Sequence, residues 1–230
     1  MGHIHLNAAD PAAAIAFWKD LISAQPYSHA SLTGVSVPGV IILFAKKAPT
    51  APSVGSSVDH IGFLVPDMQP YEAKFAKTSF KANLSTKNAI QLMIDGPDGV
   101  RIELTEDKTL PIPIRFHHIH FDTPDPKAIQ AWYEQNFGAV PGTRGNWDAG
   151  DIPGANLTFG KAASTAPTVG RAIDHIGFEI EGLEAFCKKL TDSGVKLDSP
   201  YRQLPQAGIA LAFLTDPWGT RIELTEGLAQ

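Results

Sequence analysis

Short runs in which every second residue is apolar recur along the chain: HIHLN at 3–7, HIGFLV at 60–65, HIHFD at 118–122 and HIGFEI at 175–180. A period of two is a strand pattern, with successive side chains on opposite faces. It puts Ile4 and Leu6 on one face of the first run, and Ile61, Phe63 and Val65 on one face of the second. Ile119 and Phe121, then Ile176, Phe178 and Ile180, do the same in the other two. After each run the period lengthens to that of a helix. Asp10 before Pro11 is a helix start, and Ala14, Phe17, Trp18 and Leu21 follow at i, i+3, i+4 and i+7. Asp125-Pro126 repeats this before Ile129, Trp132 and Tyr133. A fourth pattern holds Leu183, Phe186, Cys187 and Leu190, with Gly194 as its stop. The second, Tyr71 and Phe75 after Pro70, is the least regular. Strand-like runs VIILFA (40–45), AIQLMID (89–95), ANLTFG (155–160) and IALAFL (209–214) complete four units of strand, helix and several strands.

The chain is written twice. Residues 117–133 lie over 2–18 and 152–178 over 37–63, both 115 positions on, while DPWGTRIELTE lies 120 positions beyond GPDGVRIELTE. The second copy therefore carries about five extra residues, assigned to YRQLPQAG at 201–208. The halves are taken as residues 1–108 and 116–230, with a proline-marked linker over 109–115.

The polar faces carry the candidate chemistry. His3, His5 and Asn7 share one face, His118, His120 and Asp122 another, and His60 and His175 stand opposite the apolar side of their strands. In both copies of RIELTE the glutamate, Glu103 or Glu223, points away from the Ile and Leu that pack. If the two units of one half form a single sheet, His3, His60 and Glu103 meet in one half and His118, His175 and Glu223 in the other. Two imidazoles and a carboxylate form a facial triad suited to a divalent metal ion, and Fe, Mn, Ni, Co and Zn all accept such a set. His5 and His120, two residues along the same faces, are the candidates for acid–base work or for supporting the ligands, with polar lining of the cup as the alternative. Arg101 and Arg221 share the glutamate face and are read as solvated salt bridges, with orientation of the glutamate or binding of an acidic substrate as the alternatives. Trp147 and Trp218 are read as packing residues, with a pocket wall as the alternative.

Composition narrows the classes without choosing among them. With 43% hydrophobic and 19% charged residues and a net charge of −5, the chain has no basic footprint for nucleic acid. No apolar run reaches the roughly 20 residues of a membrane span. The single cysteine, Cys187, makes neither an internal disulfide nor a thiolate cage, and is read as a small buried apolar residue. The default compartment is the cytoplasm, although a strand that starts almost at Met1 is also compatible with a trimmed leader. The expected partner is a small molecule, and the expected assembly a monomer or homodimer.

The unit openings HIHLNAADPAAAIAFW, DHIGFLVPD, HHIHFDTPD and DHIGFEI, with the endings DGPDGVRIELTE and DPWGTRIELTE, resemble the vicinal oxygen chelate superfamily. That superfamily includes glyoxalase I, fosfomycin- and bleomycin-resistance proteins and type I extradiol dioxygenases. The resemblance implies an α+β fold of four βαβββ modules in two homologous halves, each a curved mixed sheet with helices on its outer face. It implies metal ligands at the module-opening histidines and the last-strand glutamates, which are His3, His60, Glu103, His118, His175 and Glu223 here. Two departures matter. Where a glyoxalase I site has a further ligand, this chain has Leu43 and Thr158, and where extradiol enzymes have a tyrosine it has Met93 and Phe213. The implied activity is metal-dependent chelation of a vicinal-oxygen substrate, by an oxygenase or a lyase/isomerase. A metal-free binding protein of the bleomycin-resistance type is the alternative, and a metal-assisted group transferase a third.

Overall fold

The computed structural model describes residues 1–87 and 90–229. Four units follow one another, each a strand, a helix and three strands. The first is β1 (His3–Ala8), α1 (Pro11–Asp20), β2 (Gln25–His29), β3 (Leu32–Val37) and β4 (Val40–Lys46). The second is β5 (Val58–Val65), α2 (Gln69–Phe75), β6 (Lys81–Ser85), β7 (Gln91–Asp95) and β8 (Arg101–Glu106). The third is β9 (Arg115–Thr123), α3 (Pro126–Phe137), β10 (Val140–Arg144), β11 (Trp147–Ile152) and β12 (Ala155–Lys161). The fourth is β13 (Ile173–Glu179), α4 (Leu183–Asp192), β14 (Leu197–Leu204), β15 (Ile209–Thr215) and β16 (Arg221–Glu226). Of the run expected at 89–95, Ala89 lies outside the described residues.

The local signals act as their chemistry requires. Asp10 accepts hydrogen bonds from the backbone N–H groups of Ala12 and Ala13, and Asp125 from that of Ala128, so both helices open on a side-chain cap. Among the described residues no helix is long and apolar enough to cross a membrane. The apolar strand faces, Ile4, Leu6, Ile61, Phe63, Ile119, Phe121, Ile176 and Phe178 among them, are buried in one continuous core with the inner faces of the helices.

The sheets depart from the half-by-half expectation. Two eight-stranded mixed sheets run β14-β15-β16-β13-β1-β4-β3-β2 and β10-β11-β12-β9-β5-β8-β7-β6. The first unit shares its sheet with the fourth through antiparallel β1 and β13, and the second shares with the third through β5 and β9. Within a unit the opening strand pairs parallel with the last strand, β1 with β4 and β5 with β8, which leaves its other edge open. Residues 107–114 join β8 to β9. At about 3.3 Å per residue such a segment reaches some 26 Å, more than the roughly 10 Å needed to step over one strand. It lays β9 on the open edge of β5, and its Leu110 and Ile114 are buried. The extra residues of the second half lengthen the β14–β15 hairpin: β14 has eight residues where β6 has five.

Trp18 is the largest fully buried side chain, and its ring meets Phe17 and Phe63 at centroid distances of 6.0 and 5.7 Å. It joins α1 of one sheet to β5 of the other. Trp18→Ala is expected to destabilise the fold by about 3–5 kcal/mol in urea denaturation, and a loss below about 1 kcal/mol would show that the two sheets do not depend on this contact.

Candidate metal centres

The cross-half pairing builds both sites. In the first sheet one row crosses five strands: Ile41, His3, Gly177, Glu223 and Phe213 are successive partners. In the second sheet the matching row is Asn156, His118, Gly62, Glu103 and Met93. Histidine and glutamate thus stand two strands apart with a glycine between them, and the imidazole crosses the gap by lying on the glycine. A Cβ on Gly177 would sit 2.1–2.6 Å from three His3 ring atoms, and one on Gly62 1.8–2.7 Å from three of His118.

Strand irregularities supply the second imidazole. The register slips between Val58 and His60 in β5 and between His5 and Leu6 in β1, whose partners are His175 and Ile173, leaving Asp59 and Asp174 as extra residues. Each then bonds its neighbour: Asp59 Oδ1 lies 2.8 Å from His60 Nδ1, and Asp174 Oδ1 lies 2.8 Å from His175 Nδ1. A carboxylate at Nδ1 accepts that nitrogen's proton and leaves Nε2 to face the cup. Arg101 and Arg221 stand behind these aspartates at 3.5 Å instead of reaching the glutamates.

In the first cup His3 Nε2 and His175 Nε2 lie 2.9 and 3.0 Å from Glu223 Oε2. His3 Nδ1 is buried with no polar partner among the described residues, so Nε2 is its one working atom. Burial alone would raise the Glu223 carboxyl, but hydrogen bonds from His175 and His3 hold it well below its usual range. Burial would likewise lower His175, and Asp174 and Glu223 together raise it instead. Protons on Nε2 account for these short contacts, and a divalent ion could replace them, because His3, His5, His175 and Glu223 each offer a ligand atom within 4.8 Å of the others. The donor set fits a divalent ion.

The second cup repeats the histidines but treats its glutamate differently. His60 Nε2 is 3.3 Å from Glu103 Oε2, and His118 Nε2 is 3.9 Å from Oε1 and 3.4 Å from His60 Nε2. Oε1 already accepts from Thr105 Oγ1 at 2.7 Å, Gln91 Nε2 at 3.0 Å and Arg144 Nη2 at 3.0 Å. The ligand atoms that cluster here are those of His60, His118 and His120.

The expected triads are therefore regrouped. His3 meets His175 and Glu223, and His60 meets His118 and Glu103, because each sheet takes one unit from each half. His5 and His120 lie where the face pattern put them: His5 is 4.7 Å from the His175 ring and His120 stacks on His60 at 4.5 Å. Burial pushes both down to about 3, so both are neutral at ordinary pH. Leu43 is the neighbour of His5 and Thr158 of His120, so both departures from the glyoxalase pattern line the cups. Trp147 is not a packing residue. It is half exposed on β11, edge-on to His120 at 5.5 Å. Trp218 packs on Trp132.

The cups are closed differently. Over the first, Ile41, Leu43, Ile209 and Leu228 form an apolar cluster with Tyr27, Leu32, Leu204 and Ala207 packed on it. Tyr27 Oη donates to the Leu228 carbonyl at 3.0 Å, and His29 Nε2 donates to the Ala207 carbonyl at 2.7 Å. Leu204 and Ala207 belong to the lengthened hairpin, so the extra residues of the second half cover a site the sequence did not connect them with. Asp59, Asp174 and Arg144 also escaped the reading of faces. The aspartates were visible as the D of both DHIGF copies, and Arg144 only as the position where the other copy has His29.

A family model described as the Glyoxalase/Bleomycin resistance protein/Dioxygenase superfamily matches residues 115–224. No curated protein matches the sequence. Among solved structures, glyoxalase I from Zea mays is similar over 97% of this chain and 91% of its own, with a TM-score of 0.72 and 15% identity. A putative dioxygenase from Bacillus subtilis is similar over 97% of this chain and 84% of its own, with a TM-score of 0.73 and 14% identity. At such identities the likeness is one of fold.

The glycine rows give a direct check. Gly177→Ala is expected to drive the His3 ring off Glu223 and to cost about 1–3 kcal/mol of stability, with Gly62→Ala doing the same to His118. Histidine-ring NMR with denaturant titration reads both effects. An unmoved His3 resonance in Gly177→Ala would contradict the close approach.

Proposed function

We propose, from the family-model match over residues 115–224 and the fold that the whole chain shares with glyoxalase I and a putative dioxygenase, that this is a metal-dependent enzyme that chelates a small substrate through two neighbouring oxygens. The observation that carries this reading is the convergence of His3 Nε2, His175 Nε2 and Glu223 Oε2, with His175 held in the right tautomer by Asp174. These three residues hold a divalent ion, one of Fe, Mn, Ni, Co or Zn. Leu43 beside His5 offers no fourth side-chain oxygen, so positions stay open for both oxygens of a substrate.

A divalent cation against one carboxylate leaves a net charge of about +1, which suits an anionic enolate, catecholate or oxyanion, and the bound ion serves as the Lewis acid. The protein's own contributions are positional. Ile41, Leu43, Ile209 and Leu228 form an apolar cover that keeps water from the donors. His5, neutral and against His175, is a weak base, placed to take a proton from a substrate whose acidity a bound ion would raise, and to return it. Oxygenase and lyase/isomerase chemistry share this ground plan.

Metal analysis of protein purified without chelator tests the reading. Bound metal is expected, with Tm raised by added ion, and both effects are expected to disappear in His175→Ala and Glu223→Gln. Oxygen uptake with catechols, set against turnover of the methylglyoxal–glutathione adduct, then separates the two reaction classes. If no ion binds and no ion shifts Tm, the enzyme reading falls and a metal-free binding protein takes its place.

A further inference from the structure

The two cups descend from one sequence, so the positions where they differ report what each has become. At the rim of the second cup stands Arg144, and its counterpart 115 positions earlier is His29. Arg144 Nη2 lies 3.0 Å from Glu103 Oε1, whereas His29 turns outward to the Ala207 carbonyl. Gln91, which also donates to Glu103 Oε1, corresponds 120 positions on to Leu211, which cannot donate. Thr105 donates to Glu103, but its counterpart Thr225 donates to Glu179 at 2.8 Å. Three substituents therefore converge on Glu103 and none of their counterparts on Glu223, which among the described residues pairs with no arginine or lysine.

The charge balance follows. Glu103 is matched by a fixed guanidinium, which stays protonated at any working pH. A divalent ion added there would face that guanidinium at close range, with one carboxylate oxygen engaged three times over. Arg144 also lines a cavity of about 550 Å³ together with Arg115, His117 and Asp151, so its guanidinium stands where the cup opens to a polar cleft. In the first cup the same ion would meet a carboxylate engaged only by His3 and His175, the two histidines that would share the ion with it.

We infer that Arg144 takes the place of the metal in the second cup, so the chain holds one divalent ion, in the first cup alone. The inference rests on the metal-enzyme reading above and assigns the second cup a different state: a metal-free site whose central cation is part of the chain. It also makes Arg144 the residue that decides how many ions the protein takes.

The experiment is a metal count on the whole protein, loaded with excess Zn²⁺ or Mn²⁺, desalted, and measured by mass spectrometry against protein concentration. One equivalent is expected in the parent, essentially none in His175→Ala and still one in His60→Ala. Arg144→Gln, which can keep a hydrogen bond to Glu103 but not the charge, is expected to rise toward two. Arg144→Lys, which keeps the charge, is expected to stay at one. Adding His60→Ala to Arg144→Gln should return the count to one. Two equivalents in the parent would overturn the inference and leave the metal-enzyme reading standing. A single equivalent that disappears with His60→Ala and survives His175→Ala would place the ion in the wrong cup. A count fixed at one in Arg144→Gln would remove Arg144 from the account, and no metal in any form would overturn both readings together.

Discussion

Everything in the two cups depends on antiparallel contact between strands from different halves, β1 on β13 and β5 on β9. That contact puts His3 opposite Gly177 and His118 opposite Gly62, and the missing Cβ opens a channel through which an imidazole reaches a glutamate two strands away. Adjacent strands lie about 4.8 Å apart, so without the glycine the histidine and the carboxylate would flank an occupied position. The convex side answers to the same pairing, because the apolar neighbours of these residues face the helices only in this register.

The bulges at Asp59 and Asp174 work on that frame. A regular strand would send the residue before each cup histidine to the opposite, apolar face, where a carboxylate is costly to bury. The bulge brings it round to the imidazole, and the arginine of RIELTE completes the arrangement from the neighbouring strand.

Much of this was legible in the sequence. Alternation gave the faces of β1, β5, β9 and β13, because a side chain must lie on one side of a sheet or the other. The caps Asp10 and Asp125 announced two helices through local hydrogen bonds. Strand partnership was not legible. Which open edge meets which is decided by connections and packing far apart in the chain, and the triads were grouped wrongly for that reason alone. Arg144 was hidden differently. It ends β10, whose VPGTR sequence is mostly exposed and shows no alternation that could place a side chain. Only side-by-side comparison of the two copies marks it.

The exchange of units between sheets also bears on how such a chain can diverge. A single half owns one imidazole-bearing edge of each cup and the glutamate of only one. On its own it could complete a site only by pairing with a second copy of itself, and two identical copies would make two identical cups. Joining the copies in one polypeptide ends that equality. Once His29 and Arg144 are encoded separately, one cup can lose or exchange its central cation while the other keeps its donors. In this molecule covalent linkage of the repeats is what permits asymmetry, and the lengthened hairpin over only one cup is a second use of the same freedom.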